Sequence, residues 1–183
     1  AETTIERIRK EKKYKITRYY DNRQLARAAA MILDSNKIIG VWSGRSEIGP
    51  RALGNRSILM SARDPNNKDS LNLRVKHREP YRPFAPICLE EHAYEYFEIN
   101  QPCRYMLFVP LVKESKRDII PAVTHVDGTG RLQTVDVNEQ TISRLILEEY
   151  FDIAGIPVLI NTSFNDNNEP IVETPGDAFD CFK

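Results

Sequence analysis

The sequence predicts one α/β domain with a mixed, twisted sheet and flanking helices. Helix-like and strand-like stretches alternate along the chain without a regular period, and no internal repeat is found. The 183 residues are 41% hydrophobic and 28% charged, which is ordinary for a globular domain and excludes coiled coils, collagen and general disorder. A chain of this length can bury a full core.

The individual elements are predicted from apolar spacing, capping residues and turns. The basic opening, residues 1–18, has few large apolar side chains and is expected to be linker-like, before a domain of residues 19–183. Apolar residues three or four apart indicate helices, and β-branched runs indicate strands. In chain order we expect a helix capped by Asp21 or Asn22 with Leu25, Ala29, Ile32 and Leu33 at its apolar positions, a buried strand at 38–42, a strand at 57–61, a helix after Asp64-Pro65, a strand at 84–89, a helix at 90–97, a strand at 106–112, a turn at 127–130, a strand at 131–135, a helix at 139–154 ended by Gly155, a strand at 156–161 and a helix after Thr174-Pro175.

The charge distribution favours a site for a compact anion. The net charge is zero, from 26 basic and 26 acidic residues. Between Arg45 and Arg82, however, nine Lys or Arg residues stand against four Asp or Glu residues. A nucleic-acid surface usually needs a broad basic face, which a neutral chain does not favour.

Cysteine, histidine and apolar patterns exclude other classes. Cys88, Cys103 and Cys181 are irregularly spaced, so we expect small buried thiols in a reducing, cytoplasmic compartment. The spacing of the cysteines and histidines predicts no metal site. The longest apolar run, Ala28–Leu33, has six residues, whereas a membrane span needs about 20.

The segment 43–56, directly after the first predicted strand, combines glycines with arginines. Glycine allows backbone N–H groups to approach a ligand closely, and Arg45, Arg51 and Arg56 add permanent charge. This pattern predicts a cradle for a phosphate or acyl phosphate. The alternative is a tight structural turn with solvated arginines, because the segment matches neither the Walker A loop nor the Rossmann fingerprint.

Three further segments carry polar side chains suited to phosphate. Lys76 and Arg82 flank a proline-broken turn and could hold a triphosphate, or form only a solvated turn. Arg131 follows the Asp127-Gly128 turn. The hydroxyls and amide of 162–165 follow a predicted buried strand, where α/β sheets place ligands, although capping of the next turn explains them equally well.

These segments together resemble the C-terminal domain of the O-carbamoyltransferase family of nodulation and antibiotic-tailoring enzymes. The resemblance runs from about residue 20 to the end. The motifs that carry it are Gly44-Arg45, Glu47, Gly49-Pro50-Arg51-Ala52-Leu53-Gly54, Arg56-Ser57-Ile58-Leu59, Lys76-His77-Arg78-Glu79, Tyr81-Arg82-Pro83-Phe84-Ala85-Pro86, Thr124-His125, Asp127-Gly128-Thr129, Arg131, Gln133-Thr134-Val135 and Asn161-Thr162-Ser163-Phe164-Asn165.

The resemblance implies a YrdC-like fold that forms carbamoyl adenylate from carbamoyl phosphate and ATP with Mg²⁺. Transfer to a hydroxyl acceptor would belong to a covalently linked N-terminal domain, absent from this sequence, which carries an iron-type metal in that family. The residues expected to act on the reacting phosphates are Lys76, Arg82 and Arg51, and those expected to bind the nucleotide and anion are Arg131, Ser163, Asn165, Arg45, Arg56 and Thr162.

Two other functions stay open at this point. One is a nucleic-acid-binding YrdC-like module, and the other is a non-catalytic docking domain. Neutral net charge and the lack of interleaved aromatic and basic residues weigh against the first. Binding of ATP and carbamoyl phosphate would distinguish an enzyme from the second.

Overall fold

The computed structural model describes residues 2–183 and contains a five-stranded sheet in the order β1-β2-β5-β3-β4. Neighbouring strands run antiparallel except β3 and β4, which are parallel. The predicted mixed sheet is therefore confirmed. The strands are β1 (Ile39–Trp42), β2 (Arg56–Ser61), β3 (Ala85–Leu89), β4 (Gln133–Val135) and β5 (Val158–Ser163).

The helices flank this sheet, and α2 and α6 pack against each other and against its strands. Within residues 2–183 the helices are α1 (Glu2–Lys10), α2 (Asn22–Asp34), α3 (Asn66–Arg74), α4 (Ala93–Tyr96), α5 (Glu114–Arg117), α6 (Ile142–Ala154) and α7 (Pro175–Phe182), with 3₁₀ turns at Glu90–His92 and Pro121–Val123.

The predicted capping residues set the helix ends. The Asp21 carboxylate accepts from the Arg23 backbone N–H at 2.9 Å and opens α2. Thr174 and Asp177 form a reciprocal capping box at the start of α7. Helix α6 ends at Gly155, whose φ of 70° is the left-handed conformation that glycine adopts without strain.

Strand β5 lies in the middle of the sheet, as its composition favours. Val158, Leu159 and Ile160 are fully buried, which matches a continuous apolar run covered on both faces. Truncating such a side chain costs about 2–5 kcal/mol. The strand thereby fixes the position of the polar residues at its carboxyl end.

The opening segment is more ordered than its linker-like composition predicts. Residues Glu2–Lys10 form α1, which lies beside α7. Arg7 pairs with Asp180 at 2.5 Å, and the Tyr14 ring packs edge-on against Phe179 at 5.2 Å. The helix was missed because its contacts are with residues far along the chain.

The expected regular strand at 106–112 is wrong. Leu111 and Val112 form only single bridges, to Thr129 and Phe97. Pro110 has no N–H to give to a ladder, and Met106 adopts a φ of 55° that ends extended backbone. The apolar residues of this stretch therefore line a loop.

The burial of helix α2 and strand β1 differs from the prediction. Ala26, Ala30 and Leu33 face the core, whereas Leu25 and Ile32 are partly exposed. Strand β1 is an edge strand in which only Val41 is buried, not the buried strand predicted. Small alanines on the inner face allow α2 to lie close to α6.

The structure gives the burial of the cysteines and the character of the helices. Cys88 and Cys103 are buried, Cys181 is half-buried, and each is a free thiol in the described chain. Every helix within residues 2–183 is too short or too polar to cross a bilayer.

Candidate anion-binding site

Two adjoining clefts open at one end of the strands, where β5 finishes, and arginines line both. The small cleft has a volume of about 130 Å³ and the larger cleft about 390 Å³. They share a wall formed by Arg78, Pro83, Phe84, Ala85 and Arg131. The small cleft is completed by Pro50, Arg51, Ala52, Met106, Asn161, Thr162 and Ser163, and the larger one by Arg82, Val109 and His125.

Strand directions explain why segments distant in sequence meet here. Strand β5 ends at Ser163, opposite the start of its antiparallel neighbours β2 and β3. Strand β4 runs parallel to β3, so Arg131, just before β4, lies at the same end of the strands. The loop that carries Arg51 leads into β2 and arrives there too. One end of strand β5 therefore meets three strand beginnings.

The arginines of the shared wall are held without carboxylates. No Asp or Glu of residues 2–183 lines either cleft. Burial, and secondarily the charge of Arg51, lowers the pKa of Arg131, whose Nε has no hydrogen-bond partner in the described chain. Burial and the charge of Arg82 likewise lower the pKa of Arg78. Within residues 2–183, Arg131 therefore has no carboxylate partner in the cleft, and half-buried Arg78 has only the nearby charge of Glu79 to oppose its own.

Arg78 is fixed in place by two contacts with neutral groups. Its guanidinium lies 4.8 Å from the centre of the Phe84 ring, and its Nε donates to Asn72 Oδ1 at 2.7 Å. Asn72 is fully buried on α3, and its Nδ2 donates to the carbonyls of Pro80 and Arg82. Asn72 thus organises the turn that carries both arginines.

Lys76 lies behind the small cleft rather than on its lining. It is 4% exposed, and its Nζ donates to the Ser163 carbonyl at 3.1 Å and to Asn165 Oδ1 at 2.6 Å. Ser163 Oγ donates to the same Asn165 oxygen at 2.6 Å. Burial, with a smaller contribution from Arg78, lowers the pKa of Lys76 to about 8. The ammonium is surrounded by neutral oxygens.

The remaining predicted site residues divide into two groups. Thr162 lines the small cleft, and Arg82 lines the larger one as a half-exposed side chain paired with Glu79 at 2.8 Å. Arg45 is exposed outside both linings. Arg56 is buried, but it donates to backbone carbonyls, including that of Ser43 at 2.6 Å, instead of lining a cleft.

The 43–56 loop owes its shape to contacts within the protein. The Arg56 guanidinium lies 4.5 Å from the Trp42 ring, and the Glu47 carboxylate accepts from the N–H groups of Leu53 and Asn55. At Gly54, with φ at 120°, an added Cβ would lie 2.4 Å from the Ser143 hydroxyl. That glycine serves packing against α6, and Arg51 is the loop arginine that reaches the cleft.

Two of the positive backbone φ angles at residues other than glycine lie at or near the site, and two others lie elsewhere, at Asn36 and Asn168. His77 and Met106 adopt positive φ angles of 42° and 55°, which are uncommon for residues other than glycine and cost of order 1–3 kcal/mol each. Met106 lines the small cleft, and His77 follows Lys76 and contacts Asp166 at 2.6 Å. Burial also lowers the pKa of His125, on the larger cleft.

Sequence reasoning missed four residues that shape the site. Arg78 stood in a recognised motif and could have been included, because it lies between Lys76 and Arg82 in the same seven-residue segment. Asn72, four residues before Lys76, gave no signal of its role. Asn161 stood in a recognised motif but, like Met106, was not selected, because the positions of both at the cleft depend on the assembled sheet.

Comparison with known proteins places this chain in a carbamoyltransferase family. Residues 30–183 match the family described as "Carbamoyltransferase C-terminus", so the chain belongs to this family and the resemblance found in the sequence is confirmed. The chain is 52% identical over 160 residues to "Nodulation protein NolNO" of Sinorhizobium fredii, covering 86% of this chain and 23% of that protein. It is also 52% identical over 136 residues to "Nodulation protein U" of the same organism, covering 74% and 24%.

The fold is also found in a solved structure. The "Crystal structure of full-length HypF in the phosphate- and nucleotide-bound form" superposes with a TM-score of 0.58 at 19% identity, covering 91% of this chain and 20% of that one. At this identity the likeness concerns the fold. The chain spans about a quarter of the length of the two nodulation proteins.

Proposed function

We propose that this chain binds carbamoyl phosphate and ATP and forms carbamoyl adenylate as one part of a larger carbamoyltransferase. The observation that carries this proposal is the group of cations around the two clefts, which have no carboxylate in their described lining. Isolated buried charges are costly, and a phosphate supplies the missing counter-charge. Family membership indicates the carbamoyl group.

The sizes of the two clefts suggest how the substrates divide between them. The small cleft, at about 130 Å³, suits a phosphate-sized group beside Arg51, Arg131 and Ser163. The larger cleft, at about 390 Å³, suits part of a nucleotide beside Arg82 and His125.

The proposed reaction has two steps. Water displaces phosphate from carbamoyl phosphate and leaves carbamate, and a carbamate oxygen then attacks the α-phosphorus of ATP with departure of pyrophosphate. Negative charge moves between phosphate oxygens in both steps, so fixed guanidinium groups stabilise the transition states. Arg131 and Arg78, in the wall shared by both clefts, can contact both reacting groups.

Residues of this chain do not fit a resident magnesium site, because the clefts offer no carboxylate from residues 2–183. In the proposal Mg²⁺ therefore arrives with ATP, and no step is assigned to it. The cytoplasmic location expected from the free thiols stays a prediction. Transfer to a hydroxyl acceptor is assigned to the additional length of the relatives.

The proposal is tested by pyrophosphate release from the 183-residue chain. Release should require both ATP and carbamoyl phosphate and should fall at least tenfold in Arg131→Gln. Arg104→Gln, at a half-exposed arginine that pairs with Glu90 and lines neither cleft, is the matched control. The proposal fails if ATP and carbamoyl phosphate do not bind, or if release is independent of carbamoyl phosphate. Titration with RNA tests the nucleic-acid alternative.

A further inference from the structure

One buried acceptor beside the small cleft has no partner. Asn161, on β5, is 1% exposed and contributes to the cleft lining. Its Nδ2 donates to the Ala52 carbonyl at 3.1 Å and to Gln133 Oε1 at 2.7 Å. Its Oδ1 has no hydrogen-bond partner among residues 2–183. Buried polar atoms are normally paired, so an unpaired one at a site indicates a ligand group.

The orientation of this amide is determined by backbone carbonyls. Gln133, buried on β4, donates from Nε2 to the Leu53 carbonyl at 2.8 Å. Because that carbonyl can only accept, Gln133 presents its Oε1 to Asn161. Asn161 must then present its Nδ2 to Gln133 and to the Ala52 carbonyl. The remaining atom, the Oδ1 acceptor, is left without a partner in residues 2–183.

Two residues that line the cleft thus carry an unpaired donor and an unpaired acceptor. The donor is Arg131 Nε, which suits a phosphate or carbonyl oxygen, and the acceptor is Asn161 Oδ1. A ligand that satisfies both needs acceptor oxygens and an N–H group on one small molecule. Carbamoyl phosphate has phosphate oxygens and an amino group. Acetyl phosphate has the same shape but a methyl group in place of the amino group.

We propose that Asn161, oriented by Gln133, accepts a hydrogen bond from the carbamoyl amino group and selects carbamoyl phosphate over acyl phosphates without an N–H. This inference rests on the proposed function. Asn161 is then a substrate-contacting residue, and Gln133 is a positioning residue. Sites built to pair with a substrate N–H discriminate strongly against analogues that lack it, because the buried acceptor is left unpaired.

The test is the ratio of dissociation constants for acetyl phosphate and carbamoyl phosphate, measured by calorimetry on the 183-residue chain. Inorganic phosphate serves as the probe for the cations alone. Wild type should prefer carbamoyl phosphate by about tenfold. In Gln133→Met and Asn161→Ser the ratio should fall to within about twofold, since the acceptor is misoriented or absent. Gln140→Met, at an exposed glutamine, should keep the wild-type ratio.

A general loosening of the site would weaken all three ligands together and leave the ratio unchanged, which would overturn the role of Gln133. A wild-type ratio near one would overturn the inference while leaving the proposed function standing, provided that carbamoyl phosphate binds. Failure of both carbamoyl phosphate and inorganic phosphate to bind wild type would overturn both. If Gln133→Met does not fold, Asn161→Ser alone decides. A ratio of dissociation constants in Asn161→Ser equal to that of wild type would overturn the proposed selection of carbamoyl phosphate.

Discussion

Two groups of arginines in this domain have opposite electrostatic surroundings. Arg144, on α6, is 3% exposed and donates to Glu91 at 2.5 Å and to Glu148 at 2.9 Å. Hydrogen bonding to Glu91, more than any other cause, raises its pKa. Arg131 and Arg78 are half-buried, but burial lowers their pKa and their clefts contain no carboxylate from residues 2–183.

This difference distinguishes an arginine that stabilises the fold from an arginine that we propose to bind phosphate. Arg144 completes its hydrogen bonding inside the protein, with a further bond to the Val135 carbonyl at 3.1 Å. It therefore contributes to stability and has little capacity left for a ligand. An arginine held by neutral groups keeps its charge available, at some cost to the ligand-free fold. Substitutions in the two groups should have opposite consequences.

The largest effect is expected for Arg144→Met. Removing the guanidinium breaks its bonds to Glu91, Glu148 and the Val135 carbonyl, although Glu148 keeps its pair with Arg23. The free energy of unfolding should therefore fall by about 3 kcal/mol. Urea denaturation measures this change. Phosphate affinity of the folded fraction should stay the same. A loss of affinity at unchanged stability would contradict the structural role.

Lys76 extends the comparison through pH. Its pKa is about 8 in the folded chain against 10.5 for a free side chain. Between these pH values the Lys76 side chain is protonated in the unfolded chain but neutral in the folded chain. This residue therefore makes the free energy of unfolding rise as pH increases from about 8 to 10.5. Below pH 8 the destabilisation by the buried ammonium has its full value. The rise should amount to about 2–3 kcal/mol.

The control for this pH effect is a pair of substitutions. Lys76→Met should remove the rise, whereas Lys37→Met, at an exposed lysine, should retain it. Urea denaturation at pH 7.5 and 10, compared between the variants, isolates the lysine from other groups that titrate in this range. Equal pH dependence in the two variants would show that Lys76 titrates normally.

Arg131→Gln should affect binding in preference to stability. Losing one charge-assisted contact is expected to weaken phosphate binding by about 10- to 100-fold. The free energy of unfolding should stay constant or increase, because an uncompensated buried cation has been removed. Calorimetry and urea denaturation on the same preparation test both parts. A large destabilisation with unchanged affinity would assign Arg131 to the structural group.

The smallest effect concerns Arg82, the cleft arginine that has a carboxylate neighbour. Its pair with Glu79 is half-exposed, and such pairs contribute about 0–1 kcal/mol. Glu79→Gln should therefore change stability by less than about 0.5 kcal/mol and raise nucleotide affinity slightly, by freeing Arg82. A fall in ATP affinity would instead assign Glu79 a direct role at the site.

The sequence predicted most elements of the sheet but only part of the site. Local signals locate β2, β5 and α6, because caps and apolar spacing act within a few residues. Which loop arginine turns inward cannot be read locally: Arg56 is fixed by Trp42 and by carbonyls including that of Glu173, far along the chain. Arg45, Arg51 and Arg56 therefore carry the same signal in the sequence.

The positioning residues were harder to predict for a related reason. Asn72 and Gln133 bond largely to backbone carbonyls, such as those of Arg82 and Leu53. A carbonyl belongs to every residue type, so such a partner leaves no mark in the sequence. The charged residues of the site could be anticipated because charge is itself a sequence property.

The sheet edges are short. Strand β1 has four residues and β4 has three, and they form the two sides of the sheet. Edge strands expose backbone donors and acceptors that can recruit another chain and begin aggregation, and brevity is one of the ways in which proteins limit this. The longer strands β2 and β5, which support the clefts, are enclosed between neighbours. The domain therefore presents little template for strand addition while the strand ends at the clefts stay open to solvent.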